Sequence, residues 1–154
     1  MIVYMNENRL EDLKDEKNLK SKEVANYLNV HESTYSEWEH NKIPIPTKRL
    51  IQLANFYKVN IDYMLKLSNS KKHINTNNQN IDLKSIGERL RNIRKDLNLT
   101  LRELGQELNI SFSALASYER GEHLIQSDTL ITLSKISNYS IDYILGRNKE
   151  KNIK

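Results

Sequence analysis

The sequence predicts an all-α protein made of two tandem five-helix domains joined by a polar linker. The first observation behind this is a repeat. Shifting the chain by 80 positions superposes Arg9-Leu10 on Arg89-Leu90, Asn18-Leu19 on Asn98-Leu99, Leu28-Asn29 on Leu108-Asn109 and "NIDYML" (60–65) on "SIDYIL" (140–145), without a gap. The second is that apolar residues recur at helical spacing between capping and turn-forming residues, with no convincing alternating strand. The third is size: copies of roughly 60 to 65 residues are too long and too few for a solenoid, yet large enough to fold as small domains.

The elements are clearest in the second copy. Leu83, Ile86, Leu90, Ile93 and Leu97 share one face of a first helix, with Asp82 as its cap. A short second helix follows, with Thr100 as N-cap, Glu103 completing a capping box, and Leu104 and Leu108 inward. Ser111 caps a third helix with Leu115 and Tyr118 inward, and Gly121 ends it in a left-handed turn. Small Gly105 lets the two short helices approach. Ser127 is expected to open a fourth helix with Leu130, Leu133 and Ile136 inward, and Ser140 a last turn carrying Ile141, Ile144 and Leu145.

The first copy fits the same template with departures. Lys20 replaces the Thr cap, with Ser21 able to cap one residue late; His31 replaces Ser111, and Asn41 replaces Gly121, a change that left-handed geometry tolerates. Pro44 and Pro46 stiffen the loop that follows. The expected boundaries are 1–67 for the first domain, 68–81 for the Asn-rich linker, 82–148 for the second domain and 149–154 for a basic tail that frays.

Composition narrows the function classes. Apolar residues make up 38% and charged residues 29%, with a mean hydropathy of -0.71, as expected of modest cores under long polar helical faces. The chain has no cysteine, which excludes disulfides, thiolate metal sites and cysteine nucleophiles. No targeting or membrane segment is visible, and a cytoplasmic location is expected. The net charge of +4 comes mainly from linker and tail: residues 1–67 carry ten basic and ten acidic side chains, and residues 83–148 carry nine and eight.

The turn between helices two and three defines a helix-turn-helix, whose second helix can lie in the DNA major groove. "LTLRELGQELNISFSALASYERGE" (99–122) with "SIDYILG" (140–146) resembles the DNA-binding domain of the phage-repressor and Cro-like (XRE) regulators, over nearly the whole second copy. The resemblance implies double-stranded operator DNA as the partner. It also implies that the first turn of helix three and its next outward turn face base edges, which selects Phe112, Ser113 and Ser117, with Ala114 and Ala116 within reach. Serines and a phenylalanine read weakly beside an Arg or Gln fork, which gives ~1 to 3 kcal/mol of discrimination per base. DNA shape and thymine-rich steps are therefore expected to supply much of the preference. Phosphate contacts are expected from Arg102, Arg120, His123 and the amides at the N-termini of helices two and three, the latter capped by Ser111. Neutralising four or five phosphates costs about 10²- to 10³-fold in affinity between 50 and 200 mM salt.

In the first copy the equivalent surface is Lys22, Glu32, Ser33, Ser36, Glu37 and Lys42. Two carboxylates facing a polyanion are unfavourable, so this copy either reads DNA with help from Lys22 and Lys42 or serves as a pairing or partner-binding module. The resemblance further implies an ion pair between Arg94 and Glu119, repeated as Lys14 with Glu39. Trp38 and Tyr118 are expected to pack inward, not to stack on bases. The four histidines, His31, His40, His73 and His123, are dispersed, so neither a metal site nor a cofactor is implied. No Ser/His/Asp constellation or phosphate loop is present, and enzymatic activity is not expected.

Family members usually bind palindromic sites as dimers, so a homodimer and an intrachain pseudo-dimer are both open. Half-sites stand about 34 Å apart. A flexible linker of some 13 to 15 residues has an r.m.s. span near ~20 Å and a limit near ~50 Å, permitting that separation without imposing it. The leading expectation is a sequence-specific transcriptional regulator, a repressor more than an activator. The alternative is a protein-interaction regulator, antirepressor- or antitoxin-like, whose acidic first copy binds a protein partner.

Overall fold

The computed structural model describes residues 6–72 and 80–153. It is helical throughout, with one isolated antiparallel bridge, Tyr139 to Asn152, and no strand among the described residues. Two compact units, 1–73 and 74–154, each carry five of the described helices.

The second unit comprises α6 (Leu83–Asp96), α7 (Leu101–Leu108), α8 (Phe112–Glu119), α9 (Ser127–Ser137) and α10 (Ile141–Ile144). Four of its caps form where the side chains demand them. Asp82 accepts from the Ser85 N–H at 3.2 Å, Thr100 from Glu103 at 3.1 Å, Ser111 from Ala114 at 3.1 Å and Ser140 from Tyr143 at 3.2 Å. Glu103 returns the favour to the Thr100 N–H at 3.0 Å, and that bond holds its carboxyl below the usual range. The expected cap Ser127 is different: it is already the first helical residue and is buried, and Gln126 precedes it without a side-chain cap bond.

Ile86, Leu90, Ile93, Leu104, Leu108, Leu115, Leu130, Leu133, Ile141 and Ile144 form the core of this unit. Such side chains contribute about 1.5 to 3 kcal/mol each when fully buried. Ile136, expected inward, is instead 43% exposed. Helix α9 turns Leu130, Ile131, Leu133 and Ser134 inward, because the Ser134 hydroxyl donates to the Tyr139 carbonyl and holds that face against the last loop.

The first unit repeats the plan as α1 (Leu10–Glu16), α2 (Ser21–Leu28), α3 (Glu32–Glu39), α4 (Thr47–Tyr57) and α5 (Ile61–Met64). Its left-handed residues Asn18, Asn29, Asn41, Lys58 and Lys66 lie 80 positions before Asn98, Asn109, Gly121, Asn138 and Gly146, which are left-handed too. The same helix stops are therefore reused, and Asn41 replaces Gly121 at a φ of 56°. Capping is poorer here. Ser21 is not a late cap but the first residue of α2, its hydroxyl accepting from the Lys14 ammonium at 3.1 Å. Lys20 has no side-chain acceptor to offer, so only Glu23 works, accepting the Lys20 N–H at 3.0 Å. Asn60 does cap α5, at 2.7 Å from the Tyr63 N–H.

Two stretches expected to be loose are tied down. Ser68 to Lys72, the start of the expected linker, folds back on the first unit: the Asn60 amide donates to the Ser70 and Lys72 carbonyls at 2.8 and 2.9 Å. The tail does the equivalent, Ser140 N–H donating to the Lys151 carbonyl at 2.7 Å and Ile153 N–H to the Asn138 carbonyl at 3.1 Å, so residues 151–153 are bonded back to the second unit. The same unit holds a buried ion pair for which the residue spacing offers no warning: Arg147 donates to Asp142 at 2.9 Å, with side chains 1% and 0% exposed.

Candidate nucleic-acid interface

Helix α7 stops at Asn109, left-handed at φ 56°, and the Ile110 N–H turns back to the Gly105 carbonyl at 2.9 Å. Ser111 then caps α8, so three residues separate the helices. A Cβ on Gly105 would come 2.9 Å from the Ile110 carbonyl oxygen, which is why a small residue sits there. The first copy accommodates Ala25 at the same place, so glycine is not obligatory.

Burial of Leu104, Leu108 and Leu115 orients the pair and leaves Ser111, Phe112 and Ser113 exposed at the start of α8. Ala114, Ala116 and Ser117 are half-buried along the next turn. Phe112 is 43% exposed, and the Arg102 guanidinium lies 4.4 Å from its ring centroid. This stack places a cation and an aromatic surface side by side at the N-termini of both helices, and an exposed stack of this kind contributes ~0.5 to 1 kcal/mol.

The remaining expected residues are already engaged. Ser117 and His123 share a hydrogen bond of 2.6 Å between the hydroxyl and Nδ1. Arg120 grips Glu122 through two bonds of 2.7 and 3.1 Å, which also hold the Glu122 carboxyl low. That pair is solvent-exposed and weakly held, so a phosphate can take the place of Glu122. Arg94 donates twice to Glu119, at 2.8 and 2.9 Å, and once to the Leu99 carbonyl at 3.1 Å. All its chief donors point inward, tying α6 to the end of α8 and to the turn before α7.

Residue reasoning missed Arg91 and Lys95. Arg91 lines an open cleft with Arg94, Leu101, Ala116, Glu119 and Arg120, and a second with Glu88, Asn92 and Lys95. The available signal was charge at repeat-equivalent positions, since Glu11 and Asp15 stand where Arg91 and Lys95 stand.

In the first unit Glu32 and Ser33 are exposed at the start of α3, Ser36 and Glu37 are half-buried, and Lys22 and Lys42 are exposed. His31 precedes α3 without a side-chain cap bond. Lys14 meets Glu39 at 2.7 Å through one oxygen, and the other, Oε2, is buried without a hydrogen bond of normal geometry, with the Tyr35 phenol near the carboxylate. Trp38 is buried and Tyr118 half-buried, so neither offers a free stacking face. No helix among the described residues is long and apolar enough to cross a membrane.

A family described as helix-turn-helix matches the chain twice, at residues 10–64 and 90–144. The HTH-type transcriptional regulator ImmR of Bacillus subtilis (strain 168) is 38% identical over 65 residues, covering 42% of this chain and 51% of that protein. The cryptic phage CTXphi transcriptional repressor RstR of Vibrio cholerae is 37% identical over 62 residues, covering 40% and 55%. The HTH-type transcriptional regulator DicA of Escherichia coli (strain K12) is 37% identical over 67 residues, covering 44% and 50%. The chain thus spans about half the length of the curated relatives it matches. Among solved structures, the P22 c2 repressor in complex with synthetic operator 9T is 35% identical, covering 41% of this chain and 96% of that one, with a TM-score of 0.39. Matched in both copies over more than half of its residues, the chain belongs to the phage-repressor-like (XRE) helix-turn-helix family.

Proposed function

We propose that this protein is a sequence-specific DNA-binding transcriptional regulator of the repressor type, in which the second copy reads the major groove. The observation that carries the reading is the exposed start of α8, where Ser111, Phe112 and Ser113 stand beside Arg102. Arg91 and Arg120 flank the same helix. Phe112 meets thymine methyls, Ser113 and Ser117 offer adaptable hydroxyls, and Arg102, Arg120, His123 and Arg91 neutralise phosphates. The names of ImmR, RstR and DicA, all transcriptional regulators or repressors, support it.

A second reading concerns the first copy. Along residues 10–16 it carries one lysine and four carboxylates, whereas residues 90–96 carry three basic side chains and one carboxylate. Glu32 stands where Phe112 stands, and Glu37 where Ser117 stands. That inversion favours a protein-binding role for the first copy over a second DNA-reading head.

The test is selection of bound duplexes from a random pool by the full-length protein at near-physiological salt, beside a Ser113→Glu/Ser117→Glu variant. One enriched half-site, lost in the variant, is expected. Two unlike half-sites would show the first copy reading beside the second, and a symmetric palindrome would show a homodimer using one copy per chain. Absence of enrichment by the intact protein would overturn operator binding.

A further inference from the structure

The arginine-carboxylate-arginine arrangement around Arg91, Glu119 and Arg120 has a counterpart of opposite sense in the first copy. The equivalent positions are Glu11, Glu39 and His40. Each offers one ligand atom, and the three atoms lie within 4.8 Å of one another. Where the second copy gathers anion-binding guanidiniums about a glutamate, the first gathers an imidazole and a second carboxylate.

Two further observations mark this cluster as more than a patch of surface charge. Glu39 is a buried carboxylate, 2% exposed in its side chain, with Oε1 held by Lys14 at 2.7 Å; Oε2 is buried and makes no hydrogen bond of normal geometry, although the Tyr35 phenol lies near the carboxylate and is pushed up in part by it. A buried carboxylate oxygen left unpaired is costly, and it gains most from a cation that can reach it. His40 is the second. Its Nδ1 lies 2.8 Å from the Ser36 carbonyl oxygen, which can only accept, so Nδ1 carries the proton and Nε2 keeps its lone pair. A ring nitrogen fixed by a backbone carbonyl, with the other free, is the usual second shell of a metal-bound histidine.

We propose that Glu11, Glu39 and His40 form a divalent transition-metal site, with zinc as the best-fitting ion. One imidazole nitrogen and two carboxylate oxygens suit zinc and its borderline neighbours better than calcium or magnesium, which prefer all-oxygen sites. Three protein ligands leave a fourth position to water. Lys14 stays on Oε1 and orients the carboxylate; its charge lowers the affinity but occupies the other oxygen. The bound ion ties the exposed side of α1 to the end of α3, the joint that Arg94 makes with two bonds in the second copy and Lys14 makes with one. The histidines' dispersal along the chain hid this site, because Glu11 lies 28 positions before Glu39 and the fold alone brings them together.

The experiment is calorimetric titration of the chelator-stripped full-length protein with Zn²⁺, paired with visible absorption on adding Co²⁺. One saturable site per chain and a Co²⁺ spectrum of low coordination number are expected. Glu11 and His40 are exposed, so Glu11→Gln and His40→Gln should leave the helical circular dichroism intact while weakening Zn²⁺ at least about tenfold each. His31→Gln should change nothing. In the intact protein, Zn²⁺ should move the His40 Nε2 resonance and leave Nδ1 bonded to Ser36. Absence of saturable binding, or binding that survives both Glu11→Gln and His40→Gln, overturns the site. None of these readouts uses DNA, so operator recognition by the second copy stands or falls separately.

Discussion

The two copies share their helix stops and differ where helix one begins. In the second copy α6 runs for 14 residues from Leu83; in the first, α1 runs for 7 from Leu10. The extra turns of α6 pass over the end of α8 at Gly87, where a Cβ would lie 2.4 Å from the Glu119 carbonyl oxygen. The first copy has Glu7 at that position and cannot follow the same path. Its chain instead enters through the non-helical residues 6–9, and the Asn8 amide donates to the Trp38 carbonyl at 2.9 Å and to the Asn41 side chain at 3.0 Å. One glycine therefore decides whether the end of helix three is covered by a helix or by an asparagine side chain.

The most damaging way to break this comparison is to give the second copy the first copy's residue. Gly87→Glu forces a Cβ into backbone that has no flexible end to give way, and overpacking of this kind costs about 3 kcal/mol. We expect the second unit to lose that much in urea unfolding, with α6 shortened toward the length of α1 in hydrogen exchange. Full protection of the amides of residues 83–89 in the variant would refute the account. Gly87→Ala should cost less than Gly87→Glu, but not nothing, because the clash belongs to the Cβ itself.

The second contrast is in the cores. Tyr35 and Tyr57, buried in the first copy, share a hydrogen bond of 2.6 Å, where the second copy has Leu115 and Ser137. Burial pushes both phenols up, Tyr57 to about 12 and Tyr35 further, with the shared bond adding to the rise at Tyr35. An unfolded chain releases these protons near pH ~10 while the folded one keeps them, so stability is full below ~10 and falls as pH rises past it. Two such groups give a slope of about 2.7 kcal/mol per pH unit between ~10 and the raised folded values. In the second copy the Tyr139 phenol is pushed up to about 12 by its hydrogen bond to Asp96. Alkaline titration followed by circular dichroism should therefore unfold the first unit before the second. Tyr35→Phe alone should cost about 1 to 3 kcal/mol at neutral pH by leaving the Tyr57 hydroxyl unpaired, and Tyr35→Phe/Tyr57→Phe should restore most of it and flatten the alkaline slope. Equal slopes in the double variant and the parent would show that other groups set the alkaline limit.

Much of this was legible in the residues because it is local. The Asp82, Thr100, Ser111 and Ser140 caps, the left-handed Asn41 and the placing of the helix stops each depend on a few neighbouring positions. What stayed hidden depends on which surfaces meet. Gly87 reads as an ordinary helix glycine until the end of α8 is laid against it. Ile136 reads as core by spacing, and only the packing of Ser134 under Tyr139 turns it outward. Arg91 beside Ala116 is a pairing across the fold, whereas Arg147 lies only five positions after Asp142 and pairs with it because the turn after α10 buries both.

The smallest expected effect tests the charge inversion. If Arg91 contributes one phosphate contact, Arg91→Gln lowers the slope of log affinity against log salt by about 0.9, a change of roughly 3- to 4-fold between 50 and 200 mM. Its sequence preference should be untouched, because a phosphate contact carries no base information. The reciprocal change, Glu11→Arg in the first copy, separates the two readings of that copy. A DNA-reading first copy gains slope by about the same amount, since the new guanidinium takes the place Arg91 holds in its twin. A first copy that faces a protein partner gains no slope, because its recognition helix still presents Glu32 and Glu37 and never approaches a phosphate closely enough to release a counterion. An unchanged slope for Arg91→Gln would remove Arg91 from the interface and leave Arg102, Arg120 and His123 as its cationic contacts.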